Sequence, residues 1–254
     1  MRRSASLRRL RHNVPIAGVP PPQDIACPDP DRCPVAPELP PLQAVPLAAG
    51  TTLFRVYDAE WGYDEHNPGF GDARFSPIDD PITNKRLPSM YLAATSTAAL
   101  LETVFHDVHH RSGRTGYERD LLGKLLAYVH VPASATLGDL RDPELERMGL
   151  SRGAVVAGSA EHYPCTRRLA RAALTQRPAG QALQGFVWHS RQSELAGEEP
   201  VEAVVLFGST RCRAGRGSWK LAPPGVSALY EGPGRLLVDE IAEQLRAVIE
   251  RDGG

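Results

Sequence analysis

No stretch of this chain is apolar for long enough to cross a bilayer, and no signal-like apolar core follows the basic opening MRRSASLRRLRH. A cytoplasmic chain with no membrane partner is expected. An excess of one charge is also missing, since 29 Lys and Arg stand against 30 Asp and Glu for a net charge of -1. With nothing to neutralise a run of phosphates, direct binding to nucleic acid is not expected. Cysteine is scarce: Cys27, Cys33, Cys165 and Cys212 are too few among 254 residues to form a disulfide framework. Cys27 and Cys33 form a Cys-x5-Cys pair that is half a zinc ligand set; with no second pair in sequence, two ordinary thiols are the expectation. Neither a Walker loop nor a Gly-x-Gly-x-x-Gly follows any strand pattern, so the usual backbone cradles for phosphate are absent.

Proline, by contrast, is abundant and unevenly placed. It recurs through VPIAGVPPPQDIACPDPDRCPVAPELPPLQAVP, where each residue fixes φ and removes a donor. Residues 1–50 therefore read as an extended, partly disordered arm, and 51–254 as one domain. Within that domain TLFRVY, KLLAYVHV, GFVWHS and VEAVVLFG are strand patterns. Helices are expected at about 96–111, 162–175 and 234–251, the last an amphipathic C-terminal helix with Leu237, Ile241, Leu245, Val248 and Ile249 at helical spacing. Strands and helices do not alternate strictly, which favours an α+β fold with a mixed sheet.

The segment YLAATSTAALLETVFHD carries a carboxylate beside an apolar stripe. Ser96 is the expected N-cap and Gly113 the stop, while Leu101, Val104, Phe105 and Val108 repeat as a core-facing helix does. Glu102 falls about 100° from Leu101, at the edge of that stripe. An ordinary boundary glutamate and a carboxylate lining a cleft both fit such a position. Glu102, His106 and His110 also follow one another at i, i+4 and i+8, with His109 nearby. Three ligands on that line would be strained, because successive fourth residues drift about 40° around the helix. A solvated helix end is the preferred reading, and no metal is expected.

Two arginines complete the pattern. Arg55 lies inside a strand pattern and Arg74 in the punctuated stretch GDARFSP; each is either a solvated side chain or a planar fork kept for an anion. In GFVWHSR, period-two alternation sets Phe186, Trp188 and Ser190 on one face and Val187 and His189 on the other. No Gly-x-Ser-x-Gly surrounds Ser190, so a nucleophile elbow is not indicated.

Arg55 in LFRVY, Arg74 in ARF, Tyr91 ahead of a helix, Glu102 in ALLETVFH and Ser190 after an aromatic strand stand in an order that resembles the RES-domain family. That family is named for its Arg, Glu and Ser. The resemblance covers roughly residues 50 to 210. It implies an ADP-ribosyltransferase-like fold and degradation of NAD at the nicotinamide–ribose bond. It also implies a place as the toxin of a toxin–antitoxin pair, with a helix-turn-helix antitoxin covering the active site. Under it Glu102 stabilises the developing ribosyl cation, Arg55 and Arg74 clamp the pyrophosphate, and Tyr91 offers a flat face to nicotinamide or its ribose. Ser190 gives one hydrogen bond to ribose or phosphate. NAD is then the substrate, and no resident cofactor is implied. The chain departs from the family pattern in the longer segment FSPIDDPITNKRLPSM, in Ala73 before the arginine, and in Trp188 where tyrosine is common. The alternatives are transfer of ADP-ribose to a macromolecule and a catalytically inactive binding module. TSTAALL, just before Glu102, offers no second carboxylate or glutamine to orient a macromolecular acceptor, which favours hydrolysis or phosphorolysis.

Overall fold

The computed structural model describes residues 27, 29, 31, 33, 35, 39–106, 108, 114–158, 160–190, 199–208 and 217–251. In chain order the strands are β1 (Ala44–Leu47), β2 (Thr52–Asp58), β3 (Ile78–Asp79), β4 (Arg86–Leu87), β5 (Ser89–Ala93) and β6 (Thr115–Tyr117). After them come β7 (Lys124–His130), β8 (Ala135–Asp139), β9 (Gly185–His189), β10 (Glu202–Phe207), β11 (Lys220–Ala228) and β12 (Val248–Glu250). The α-helices are α1 (Ser96–Leu101), α2 (Glu144–Arg147), α3 (Arg152–Val155), α4 (Tyr163–Ala173) and α5 (Gly232–Gln244).

Eight strands form one sheet in the order β1-β8-β9-β10-β5-β2-β7-β11. The β8/β9 pair is parallel and its other pairs are antiparallel, so the sheet is mixed, as expected for an α+β fold. Period-two alternation sorts its side chains. Leu53, Val129, Val187 and Val204 join a core on one face, whereas Phe186, Trp188 and Val205 pack with α4 on the other. Leu126 and Ala93 pack with α1 and α5. Gly185 is required where β9 meets β10, since a Cβ there would lie 2.0 Å from the Val205 carbonyl oxygen. Among the described residues no helix is long and apolar enough to cross a membrane.

Several expected boundaries move. The arm does not run to residue 50, because Ala44–Leu47 pairs antiparallel with β8. Proline obscured this strand; β1 lies at the sheet edge, where the missing N–H of Pro46 is tolerated. The same holds at the opposite edge, where Pro223 and Pro224 fall in the register shift of β11 between Leu221 and Val226. Residues 1–26 of the expected arm lie outside the described residues. The C-terminal helix ends at Gln244, and Arg246 with φ 51° turns the chain into β12, so Val248 and Ile249 belong to a strand paired with β6. Helix α1 is shorter than the expected 96–111. Thr95, not Ser96, caps it, accepting the Ala98 N–H at 3.0 Å. Beyond Leu101 the Thr103 hydroxyl donates to the Ala99 carbonyl at 2.7 Å and the chain continues in turns. The stripe nevertheless points inward, with Leu101, Phe105 and Val108 buried. Gly113 lies outside the described residues.

Candidate active site

Strands β2 and β5 are neighbours in the sheet but are bridged only at Phe54 and Ala93. Beyond that bridge they part. Residues of β2 stay paired with β7 down to Asp58, and β5 stays paired with β10 down to Ser89, so the sheet opens between two intact halves. The opening is a cleft of about 460 Å³ whose walls include Arg55, Arg74, Tyr91, Glu102, Tyr163 and Trp188. A second depression shares Val56, Tyr57, Asp58 and Thr103 with it, prolonging the cleft along the outer end of β2.

Glu102 stands at the C-terminal cap of α1, partly exposed to the cleft. Its position at the edge of the apolar stripe is what the helical pattern predicted. Ser190, fully buried at the end of β9, donates its hydroxyl to Glu102 Oε1 at 2.5 Å. The Ser190 backbone N–H is held by the Val201 carbonyl at 2.8 Å, which fixes the serine to the sheet. Ser190 is thus a support behind the carboxylate. The residues that line the cleft include Glu102, and Ser190 stands directly behind it through this bond.

Arg55 is buried, and its Nη1 donates to the carbonyls of Tyr63 at 2.7 Å and Gly62 at 3.3 Å while the guanidinium sits 5.4 Å from the Tyr57 ring centre. Burial lowers its pKa to about 10, so it is still charged at neutral pH. Arg74 bonds the carbonyls of Val155 and Gly158 at 3.3 Å and lies 5.2 Å from the Tyr163 ring centre. The loop bearing Arg74 is tied to α4 at two further points. Thr166 donates to the Arg74 carbonyl, and the buried Arg167 forms an ion pair with Asp72 on the cleft wall. These carbonyl bonds use Nη1 of Arg55 and Nη1 and Nη2 of Arg74, which is only part of each five-donor fork and leaves N–H groups for an anion.

Tyr91 fastens the same loop from the sheet side. Its phenol oxygen accepts the Phe75 N–H at 3.1 Å and lies 3.2 Å from Ser76 Oγ, while its ring meets Trp188 edge-on at 6.2 Å. Burial pushes the phenol up to about 12, so it remains protonated. His66, behind Arg55, is held neutral: burial first, and then the Arg55 charge, lower its pKa to about 4.

Four of the five expected residues therefore line one cleft, and the fifth supports one of them. His106 also lines it; His109 and His110 lie outside the described residues. Sequence reasoning missed Asp72, Tyr163 and Arg167. Tyr163 and Arg167 were visible only as the Tyr and Arg of an amphipathic helix pattern, which says nothing of a partner more than 80 residues away in the chain.

A family model described as RES domain matches residues 52–222. The crystal structure of the M. tuberculosis MbcT-MbcA toxin–antitoxin complex contains a chain similar in structure, with a TM-score of 0.51 and 18% identity over 78% of this chain and 92% of that one. At that identity the likeness concerns the fold. No curated protein matches the chain.

Proposed function

Because the chain belongs to the RES-domain family, we propose that it degrades NAD by cleaving the nicotinamide–ribose bond, with water or phosphate as acceptor. The observation that carries this reading is a carboxylate, Glu102, held by the Ser190 hydroxyl on the wall of a cleft that also presents two arginines. When the glycosidic bond breaks, its electron pair goes to the cationic ring nitrogen and nicotinamide leaves neutral. The ribose is left with oxocarbenium character, which a fixed carboxylate stabilises. Arg55 and Arg74 hold the diphosphate through their remaining N–H groups, replacing a glycine-rich loop. Tyr91 and Trp188 supply aromatic surface for the nicotinamide end. Glu102 then takes the proton of an attacking water, or the phosphate attacks as an anion.

A protein partner belongs to the same reading. The similar chain was crystallised in a toxin–antitoxin complex, and an antitoxin that seals this cleft would silence the activity proposed for it. Product analysis tests the chemistry. Purified protein with NAD in phosphate-free buffer should release nicotinamide and ADP-ribose, and phosphate should divert the product to phosphorylated ADP-ribose if phosphate is the acceptor. Label appearing on protein or nucleic acid would favour transfer instead. Unconsumed NAD in every buffer would refute the proposal.

A further inference from the structure

The sequence leaves Cys27 and Cys33 as half of a ligand set. The fold brings in a third. Cys165, fully buried in α4, places its Sγ 3.2 Å from that of Cys27, and the sulfurs of Cys27, Cys33 and Cys165 all lie within 4.8 Å of one another. The three are free thiols; the 3.2 Å separation is well beyond a disulfide bond of about 2.0 Å. In tetrahedral coordination with Zn–S near 2.3 Å, neighbouring sulfurs stand about 3.8 Å apart, so small side-chain rotations would complete three corners.

We propose that Cys27, Cys33 and Cys165 bind one zinc ion that staples the N-terminal segment to helix α4. Thiolate sulfur selects zinc over the hard cations magnesium and calcium, which prefer oxygen. Among the described residues no further His, Cys, Asp or Glu joins the group, and the fourth corner is open to a water or to one more ligand. Binding converts the thiols to thiolates and releases their protons to solvent.

The segment carrying the first two ligands is already seated. Val35 and Leu42 are buried in the core beside α4, Gln176 holds the backbone of Leu39, Pro40 and Leu42, and Arg147 bonds the Pro41 carbonyl. Cys165 is flanked on α4 by Tyr163, Thr166 and Arg167, the residues that fix Arg74 and Asp72. A zinc ion here would stiffen the platform beneath one wall of the cleft without touching it.

The test uses the full chain, purified reduced and without a histidine tag. Elemental analysis should give one zinc per chain, and a chelator-treated chain should regain one zinc, or one cobalt with intense thiolate-to-metal absorption. Cys27→Ser and Cys33→Ser, both at partly exposed positions, should lose most of the metal while remaining folded by circular dichroism. Metal removal should lower the Tm of the wild type by several degrees and leave the Tm of Cys33→Ser unchanged. A reduced wild-type chain that takes up neither metal would overturn the proposal, as would a native Cys27–Cys165 disulfide found by mass spectrometry. Full metal content in both serine variants would also overturn it.

Discussion

Replacing Ser190 by alanine removes one oxygen atom and, with it, the hydrogen bond to Glu102. The backbone bond to Val201 does not involve the hydroxyl and is kept, and alanine fits the same buried site, so the fold should persist. A hydrogen bond to a charged group contributes roughly 1.5–3 kcal/mol. If that bond fixes the carboxylate where the ribosyl cation develops, its loss falls on the transition state and kcat should drop about tenfold to a hundredfold, at 1.36 kcal/mol per decade. Since Ser190 stands behind Glu102, KM for NAD should stay within about twofold. Initial rates of nicotinamide release across a range of NAD concentrations would separate the two constants. In a Glu102→Gln background the serine change should cost little more, because the partner it positions is gone. A folded Ser190→Ala protein with unchanged kcat would refute the positioning role; a raised KM with normal kcat would show that the hydroxyl meets the substrate.

Arg55→Lys and Arg74→Lys should each raise KM for NAD about tenfold or more despite the retained charge, since an ammonium cannot make the planar bidentate contact. Normal kinetics in both would make these arginines structural. Tyr91→Phe should lower stability by about 1–3 kcal/mol in urea titration, because the Phe75 N–H loses its acceptor in a buried place, and no loss would place that N–H in solvent. For His66 the folded pKa of about 4 lies below the ordinary imidazole value of 6.5, so on acidification the unfolded chain takes up the proton first. Stability from this group is intact above about pH 6.5 and is lost as pH falls towards 4, by on the order of 3 kcal/mol, and His66→Gln should flatten that dependence. An equal pH dependence in the variant would remove His66 from the cause.

Local periodicity carried much of the fold. Strands β2, β7, β9 and β10 were legible because β-branched and aromatic residues cluster in short runs, and the split of GFVWHS into two faces recurs in the two cores flanking the sheet. Strands β1 and β11 were hidden by their prolines, which an edge or a bulge tolerates and a central strand does not. Helix ends were misread at local features that periodicity does not show: the Thr103 hydroxyl bonded to the Ala99 carbonyl beyond α1, and the left-handed backbone turn at Arg246 beyond α5. The site residues could be named in order but not assembled. That Glu102 and Ser190 touch across 88 positions, or that Arg167 meets Asp72 across 95, follows from strand order and not from any local pattern. The cleft itself is a failure of pairing between β2 and β5 after one bridge, and a register that stops leaves no mark on composition. Cys165 joined Cys27 for the same reason, through packing of α4 against the N-terminal segment.

Parallel time courses of nicotinamide release from NAD by the wild-type chain and by Glu102→Gln, with folding checked by circular dichroism, address the proposed chemistry at its reacting centre. The carboxylate should supply several kcal/mol at the developing cation, so the wild type should release nicotinamide and the folded variant should be slower by about a hundredfold or more. Equal rates in the two proteins, or no release by the wild type, would contradict the assignment of Glu102 and of the cleft it lines.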